Sequence, residues 1–510
     1  MDRQDQSRTI AFLKSLPVAG RTEPVELIET HISLVFLAGD RVFKLKRAVT
    51  LPYVDFSSVE QRLAACENEL ALNRRTAPDL YLGLRRITRE RDGGLAFDGE
   101  GTLVDAVVEM ARFDQSRLFD RMAVAGELTP AMMTRLARRI ARFHHDAEIT
   151  GRGGSETIAH VLAINEAAFA RCATMRPDET ARLNRAFREA LARHAPLLDA
   201  RAAAGHVRRC HGDLHLRNIC LIGDEPTLFD CIEFDDALAT IDTLYDLAFL
   251  LMDLWHRNLP GFANLVMNRY LDETGDESGF ALLPFFMALR AAVRAHVLAG
   301  QAVDGSSETA TEARSYFALA EALLRPVPPG LVAIGGLSGS GKSTVAELAA
   351  PSLGTAPGAR VIESDRIRKR MFGAAAETRL GPEAYRPAVS NEVYRTLASQ
   401  AGELLAAGGS VVVDAVFDEA DRRAAIEEAA RATGRPFTGI WLDVDPDILR
   451  ARVRDRRGGP SDATSEVLER QLRGTTGAIA WTRLPAARPA AETAEAILAL
   501  AAAQLASRQG

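Results

Sequence analysis

The first strongly patterned stretch alternates apolar and polar positions. Ile32–Leu37 is apolar, Ala38-Gly39-Asp40 has turn chemistry, and Val42–Lys46 alternates again, which predicts a β-hairpin over 28–46. At Ser58 the period lengthens: Ser58-Val-Glu-Gln has the form of a capping box, and helical spacing runs on to about Thr76. Leu103–Met110 is an apolar run of strand length, and residues 130–147 and 178–203 read as helices. Between His206 and Asp236, short apolar runs are broken by Gly, Asp and Asn, as in loops joining short strands, and helical patterning returns over 238–324. Arg325-Pro-Val-Pro-Pro-Gly330 cannot continue a helix and predicts a stiff connector, so a domain boundary is expected there, between residues 1–324 and 331–510. Beyond it come strand Leu331–Gly335, a helix from Lys342, strand Ala359–Ile362, helices through 407, strand Ser410–Val413, helix 419–433, strand Phe437–Val444, helix 446–456 and a terminal helix after 485. This rhythm predicts an α/β domain with a doubly wound parallel sheet.

The first αβ turn of that domain carries the most specific chemistry. Gly336-Leu-Ser338-Gly339-Ser340-Gly341-Lys342-Ser343-Thr344 matches the P-loop pattern, with an apolar strand before it and a helix after it. Glycines let successive backbone N–H groups curl around phosphate oxygens, and the helix N-terminus adds its positive dipole. Lys342 is placed to reach the β- and γ-phosphates of ATP, and Ser343 to ligate Mg²⁺. Asp365 and Asp414 follow predicted strands, so both are expected at the carboxyl edge where such sheets bind ligands. Asp414 is placed to hold the Mg²⁺ shell and Asp365 to take a proton from an acceptor hydroxyl; helix N-capping is the bland alternative for both. Arg452 and Arg456 share a helix face and are expected to close on the phosphates like a lid, with a solvated basic face as the alternative.

A second constellation lies upstream. His211-x-Asp213 is followed by Asn218 and then by Asp230, the spacing of a kinase catalytic loop and its metal-binding acid. Asp213 would accept the acceptor proton, and Asn218 and Asp230 would hold Mg²⁺, with His211 bracing the loop. The lysine for the phosphates is Lys44 or Lys46, which alternation places on the same face; Lys44 is favoured. Its carboxylate partner is expected on the next helix, Glu69 first and Glu67 second, and Val107–Met110 is the candidate hinge strand whose backbone, at Met110, holds adenine.

Residues 331–475 resemble small P-loop kinases of the gluconate kinase, zeta-toxin and AAA-type ATPase group. The likeness rests on GLSGSGKST, Ser364–Lys369, Val411–Phe417 and the arginines before Ser461-Asp462-Ala463. It implies that Asp365 and Arg368 contact the acceptor. Residues 25–300 resemble the aminoglycoside phosphotransferase and choline kinase-like branch of the protein-kinase fold, through HGDLHLRN at 211–218, Asp230-Cys-Ile-Glu233 and Asp242–Ala248. That implies an α+β, protein-kinase-like N-terminal domain. One departure is visible: no G-x-G-x-x-G precedes Lys44, and Thr30-His31-Ile32-Ser33 stands in its place.

Composition narrows the setting. A net charge of −6 without long runs of one sign gives no support for a nucleic-acid or membrane partner. The N-terminus lacks the apolar core of a signal peptide, and a cytoplasmic location is expected. Five cysteines without a C-x-x-C pair argue for free thiols rather than a disulfide or zinc scaffold. The chain has only five lysines, Lys14, Lys44, Lys46, Lys342 and Lys369, so a retained lysine at a candidate site suggests a need for a compact ammonium. The expected function is a bifunctional phosphotransferase acting with ATP and Mg²⁺ on small hydroxyl acceptors. The alternatives are a regulatory protein whose first domain binds ligand without turnover, and a non-catalytic module. The oligomeric state is not legible from the sequence.

Overall fold

The computed structural model describes residues 5–17, 25–51, 54–301, 307–455, 461–474 and 476–506. The chain divides into two compact units, Met1–Ile164 with Leu191–Asp253, and Asn165–Ala190 with Leu254–Gly510.

The first unit is built on a six-stranded antiparallel sheet. The expected hairpin forms Ser33–Ala38 and Arg41–Lys46, Glu26–Glu29 adds outside it, and the long strand Thr102–Ala111 runs on the other side of Arg41–Lys46. Tyr81–Arg89 and Leu95–Phe97 complete the sheet. One face packs on helix Val59–Asn73, around Leu37, Val42, Cys66, Leu80 and Val108. The other packs around Leu13, Phe36, Leu45 and Val107. The capping box is present: Ser58 accepts from the Gln61 amide, and the Gln61 side chain accepts from the Ser58 amide, which fixes where the helix begins and therefore where Glu69 points. The 206–236 region consists of short strands, as its broken pattern predicts. Val207–Arg209 pairs with Thr240–Asp242, and Ile219–Ile222 makes a hairpin with Glu225–Leu228.

The second unit contains a five-stranded sheet whose strands all pair in parallel. Leu331–Gly335 lies at the centre, between Val411–Asp414 and Phe437–Asp443, with Arg360–Glu363 at one edge and Thr482–Pro485 at the other. Successive connections therefore leave the central strand to opposite sides, and its carboxyl end is the topological switch point where ligands bind in such sheets. Every residue of Leu331–Gly335, Arg360–Glu363 and Val411–Asp414 is buried, as expected for strands covered on both faces. Helix Lys342–Ala349 and the terminal helix Ala490–Ala506 pack over Val332, Ile334, Val412 and Ile440.

Helices Pro260–Thr274, Leu283–Gln301 and Ser307–Leu323 also belong to this unit. The helical stretch Glu277–Gln301 is long and apolar enough to cross a membrane by length and composition, but 67% of its most apolar window is buried inside the protein. The side chains of Leu283, Phe286, Leu289 and Ala292 are fully buried, which accounts for the apolar composition as core packing.

Candidate active site

In the second unit, the turn after the central strand folds back on itself at three glycines with left-handed φ: Gly336 at 147°, Gly339 at 86° and Gly341 at 93°. A Cβ at Gly336 would lie 2.8 Å from Ser340 Oγ and 3.0 Å from the Leu442 carbonyl oxygen, so a side chain there is excluded by space as well as by conformation. Helix Lys342–Ala349 starts directly after Gly341. The loop opens on a cavity of about 410 Å³ lined by Ser338, Gly339, Gly341, Lys342, Ser343 and Thr344 on one side. Asp365, Arg368, Tyr385, Tyr394, Asp414 and Arg422 lie on the other.

Asp414 is the last residue of its strand and accepts a 2.5 Å hydrogen bond from Ser343 Oγ. Its pKa is pushed up to about 7, first by burial and further by Glu363 and Asp365, against the opposing pull of Lys342. Asp365 stands in the first turn of helix Ser364–Met371, and neither acid caps a helix. Burial also raises the pKa of Asp365, while a hydrogen bond from Ser461 and the charges of Lys342 and Arg368 oppose that rise. Lys342 Nζ donates to the Leu337 carbonyl at 3.2 Å. Arg368 lies across the Tyr385 ring at 4.8 Å, and Arg422 across Tyr394 at 4.4 Å.

Arg452 lies against the outer side of the phosphate loop. Its guanidinium donates to the Gly339 carbonyl at 3.5 Å and the Ala486 carbonyl at 3.2 Å, and it lines a separate shallow hollow with Gly339, Gly341, Ala451 and Asp455. Arg450 pairs with Glu469 and Asp447. Arg456 lies outside the described residues, as does Gly458-Gly459-Pro460.

In the first unit the two lysines separate. Lys44 Nζ lies 2.7 Å from Glu69 Oε1 and 2.5 Å from Asp230 Oδ1. Lys46 Nζ, fully buried, lies 2.6 Å from Glu69 Oε2 and against Glu233 Oε1. Glu69 thus spans both ammonium groups, while Glu67 is exposed. Burial would lower the Lys44 pKa, but Asp230 and Glu69 outweigh it and hold the ammonium charged. Burial would raise Glu69, and the two lysines override it downward. Asp230 itself sits at φ 64°, an unfavourable conformation for a non-glycine residue, and its amide donates to Tyr81 Oη at 3.1 Å.

The catalytic-loop spacing closes on itself. Asn218 Nδ2 donates to the Asp213 carbonyl at 2.9 Å and to Asp213 Oδ2 at 2.8 Å. The Phe229 amide donates to the Asn218 carbonyl, so the hairpin carries Asp230 back beside the loop. Asp246, on helix Thr243–His256, accepts from the amides of His211 and Gly212 at 3.1 and 2.8 Å and holds His144 Nε2 at 3.0 Å. His211 Nε2 reaches the Phe229 carbonyl at 2.9 Å. Met110 lies buried inside the sheet, opposite both Val42 and Tyr81. Where a glycine-rich loop would run, Thr30–Ser33 forms a tight turn. Ser33 N–H donates to Thr30 Oγ1 at 2.9 Å, and Arg47 donates to the Thr30 carbonyl at 2.8 Å.

Both sets of residues fit a magnesium nucleotide. The glycine cradle at 336–341 admits phosphate oxygens that a Cβ would displace, and Ser343 and Asp414 offer the hard oxygen donors magnesium prefers. Asn218 and Asp230 offer the same donor type. Residues that the sequence pattern did not single out are Glu363, Tyr385, Tyr394 and Arg422 in the second unit, and Tyr81 and His144 in the first. Glu363 had a readable signal, since it directly follows the predicted strand Ala359–Ile362, at the carboxyl edge of the sheet.

A family model for the phosphotransferase enzyme family matches residues 62–283, and a model for an AAA domain matches residues 331–477. The uncharacterized protein Rv2004c of Mycobacterium tuberculosis (strain ATCC 25618 / H37Rv) is 31% identical over 453 residues, 87% of this chain and 88% of that protein. The uncharacterized protein Mb2027c of Mycobacterium bovis matches to the same extent. Among solved structures, a choline/ethanolamine kinase family protein from Mesorhizobium loti aligns at 17% identity and a TM-score of 0.40, over 62% of this chain and 94% of that one. A gluconokinase from Sinorhizobium meliloti 1021 aligns at 27% identity and a TM-score of 0.25, over 36% of this chain and 97% of that one.

Proposed function

The chain, a phosphotransferase-family segment followed by an AAA domain, belongs to the family that includes the mycobacterial protein Rv2004c, and we propose that it is a two-site, ATP-dependent phosphotransferase acting on hydroxyl groups of small molecules. The observation that carries this reading is the convergence of Lys342, Ser343, Asp365 and Asp414 on one cavity at the carboxyl edge of the parallel sheet. At this site Lys342 and the loop amides hold the β- and γ-phosphates, Asp414 and Ser343 hold the metal, and Asp365 takes the proton from the acceptor hydroxyl. The acceptor oxygen then bonds to the γ-phosphorus as the bond to the β,γ-bridging oxygen breaks. Magnesium, when bound, neutralises charge on the phosphate oxygens. Arg368 and the neighbouring tyrosines form the acceptor side, and Arg452 borders the nucleotide from outside the loop.

In the first unit Lys44, oriented by Glu69, serves the phosphates, Asp213 is the base, and Asn218 and Asp230 are the metal ligands. Met110 and the strand around it are the proposed adenine-side wall. A second reading, ligand binding here without turnover, draws on the closed Thr30–Ser33 turn, which offers no glycine-rich flap over phosphates. A screen of hydroxyl metabolites coupled to ADP release, run on full-length Lys342→Ala and Asp213→Asn chains, tests both. Two-site phosphotransfer requires each variant to keep turnover with one acceptor class and lose the other. Turnover surviving in Asp213→Asn for every substrate of the native chain would favour the second reading.

A further inference from the structure

The P-loop site borrows residues from well before the proline-rich connector. Helix Pro260–Thr274 lies against the edge strand Arg360–Glu363 and supplies it with side-chain partners. Asn268 Oδ1 accepts from the Val361 amide at 2.8 Å, and Asn264 and Asn268 donate to the Ala359 carbonyl at 3.0 and 3.3 Å. The strand edge is thereby closed to other chains. Arg360, almost fully buried, pairs with Asp272 and Glu277 at 2.8 Å each. At the far end of the same strand stands Glu363, which is 5% exposed and lines the P-loop cavity. Parallel register sets it directly opposite Asp414.

Glu363 is held by one oxygen only. Its Oε1 accepts from Arg366 at 2.7 Å and from both terminal nitrogens of Arg269 at 3.4 Å. Among the described residues no hydrogen bond reaches Oε2. Arg269 is itself fixed by Asp272 and Glu347, each at 2.7 Å, and Glu347 lies on the P-loop helix. One guanidinium therefore ties helix Pro260–Thr274 to both the P-loop helix and the acid beside Asp414. A buried carboxylate next to a metal-binding acid needs such compensation, because two uncompensated carboxylates at this spacing repel.

Resting on the phosphotransferase reading of this site, we propose that Arg269 is a positioning residue for P-loop chemistry. It neutralises and aims Glu363, so that Glu363 can supply its second oxygen to the water shell of the magnesium held at Ser343 and Asp414. The catalytic unit then begins at helix Pro260–Thr274, within the stretch matched by the phosphotransferase-family model, and not at the connector.

The test is a double-mutant cycle in the full-length chain carrying Asp213→Asn, so that only the P-loop site turns over. Arg269→Gln, Glu363→Gln and the double variant are compared by ATP turnover, and by calorimetric binding of a non-hydrolysable ATP analogue with and without Mg²⁺. The expected result is a loss of about tenfold or more in kcat from Arg269→Gln alone, less than about twofold from the same change once Glu363 is Gln, and weaker analogue binding only when Mg²⁺ is present. An equal loss in both backgrounds, or weaker binding with and without Mg²⁺ alike, would reduce Arg269 to a structural strut and overturn the proposal. If Arg269→Gln fails to fold, Glu363→Gln alone decides: analogue binding weakened only when Mg²⁺ is present is expected, and unchanged binding would overturn the proposal. Failure of the underlying reading is separable: the parent chain would then bind no nucleotide that Lys342→Ala removes.

Discussion

Lys44 and Lys46 share a strand face and a carboxylate, yet the structure assigns them opposite consequences on substitution. Lys46→Met removes the ammonium paired with Glu233, whose side chain is 5% exposed, and breaks a buried ion pair. Breaking such a pair from one side costs about 3–5 kcal/mol. At ~2–4 °C per kcal/mol for a unit of this size, the melting temperature of the first unit should fall by roughly 6–20 °C. Lys44→Met leaves Glu69 still held by Lys46 and frees Asp230, which is 39% exposed and can be hydrated. Its stability cost should be about 1–2 kcal/mol. Its catalytic cost should be larger, about a hundredfold in kcat, comparable to removing one fixed donor from a developing anion. The stability loss in Lys46→Met also has a pH sign. Burial already raises the Glu233 pKa above 4.5 against the pull of Lys46, and removing Lys46 raises it further. A raised folded pKa favours the folded state only while the group stays protonated, so the deficit should be small near pH 5 and grow toward pH 8. The assay is calorimetric unfolding at both pH values beside ATP turnover, in a Lys342→Ala background that isolates the first unit. Equal melting losses in the two variants, or turnover lost in Lys46→Met with an unchanged melting temperature, would refute the assignment.

Other expectations are simpler to check. Gly336→Ala places a methyl against Ser340 Oγ and the Leu442 carbonyl, and ATP affinity at the P-loop should weaken about ten- to hundredfold by titration calorimetry, equivalent to ~1–3 kcal/mol of strain. Asp246→Asn loosens the clamp on the His211 and Gly212 amides, so turnover at the first site should drop at least about tenfold while the P-loop site is unaffected, as read by separate acceptor assays. Four of the five cysteines are buried, and burial pushes Cys66 and Cys220 up to about 12, so a thiol reagent at pH 7 should modify Cys172 alone in the native chain and all five in denaturant.

How much of this was readable beforehand depended on the kind of signal. The P-loop and the His211–Asn218 loop announce themselves because backbone geometry and hydroxyl chemistry demand particular residues at fixed spacing. The parallel sheet follows from uninterrupted apolar runs, yet its edge strand Thr482–Pro485 escaped notice: three of its four residues are exposed, and it carries no alternation. Lys44 and Lys46 could not be separated because period two gives both the same face; the positions of Asp230 and Glu233 distinguish them. The arginine-rich helix Pro446–Asp455 illustrates the same limit. Spacing groups Arg452 with Arg456, but where Arg452 points is decided by the Gly339 and Ala486 carbonyls, which lie far away in sequence. Arg269 carried no local signal at all, since its role comes from packing against a strand ninety-odd residues downstream.

Titration calorimetry with a non-hydrolysable ATP analogue directly counts the two magnesium–ATP sites proposed for one chain. Two equivalents should bind per chain, one lost in Lys342→Ala and the other lost in Lys44→Met. A single equivalent that disappears entirely with Lys342→Ala would contradict the two-site proposal.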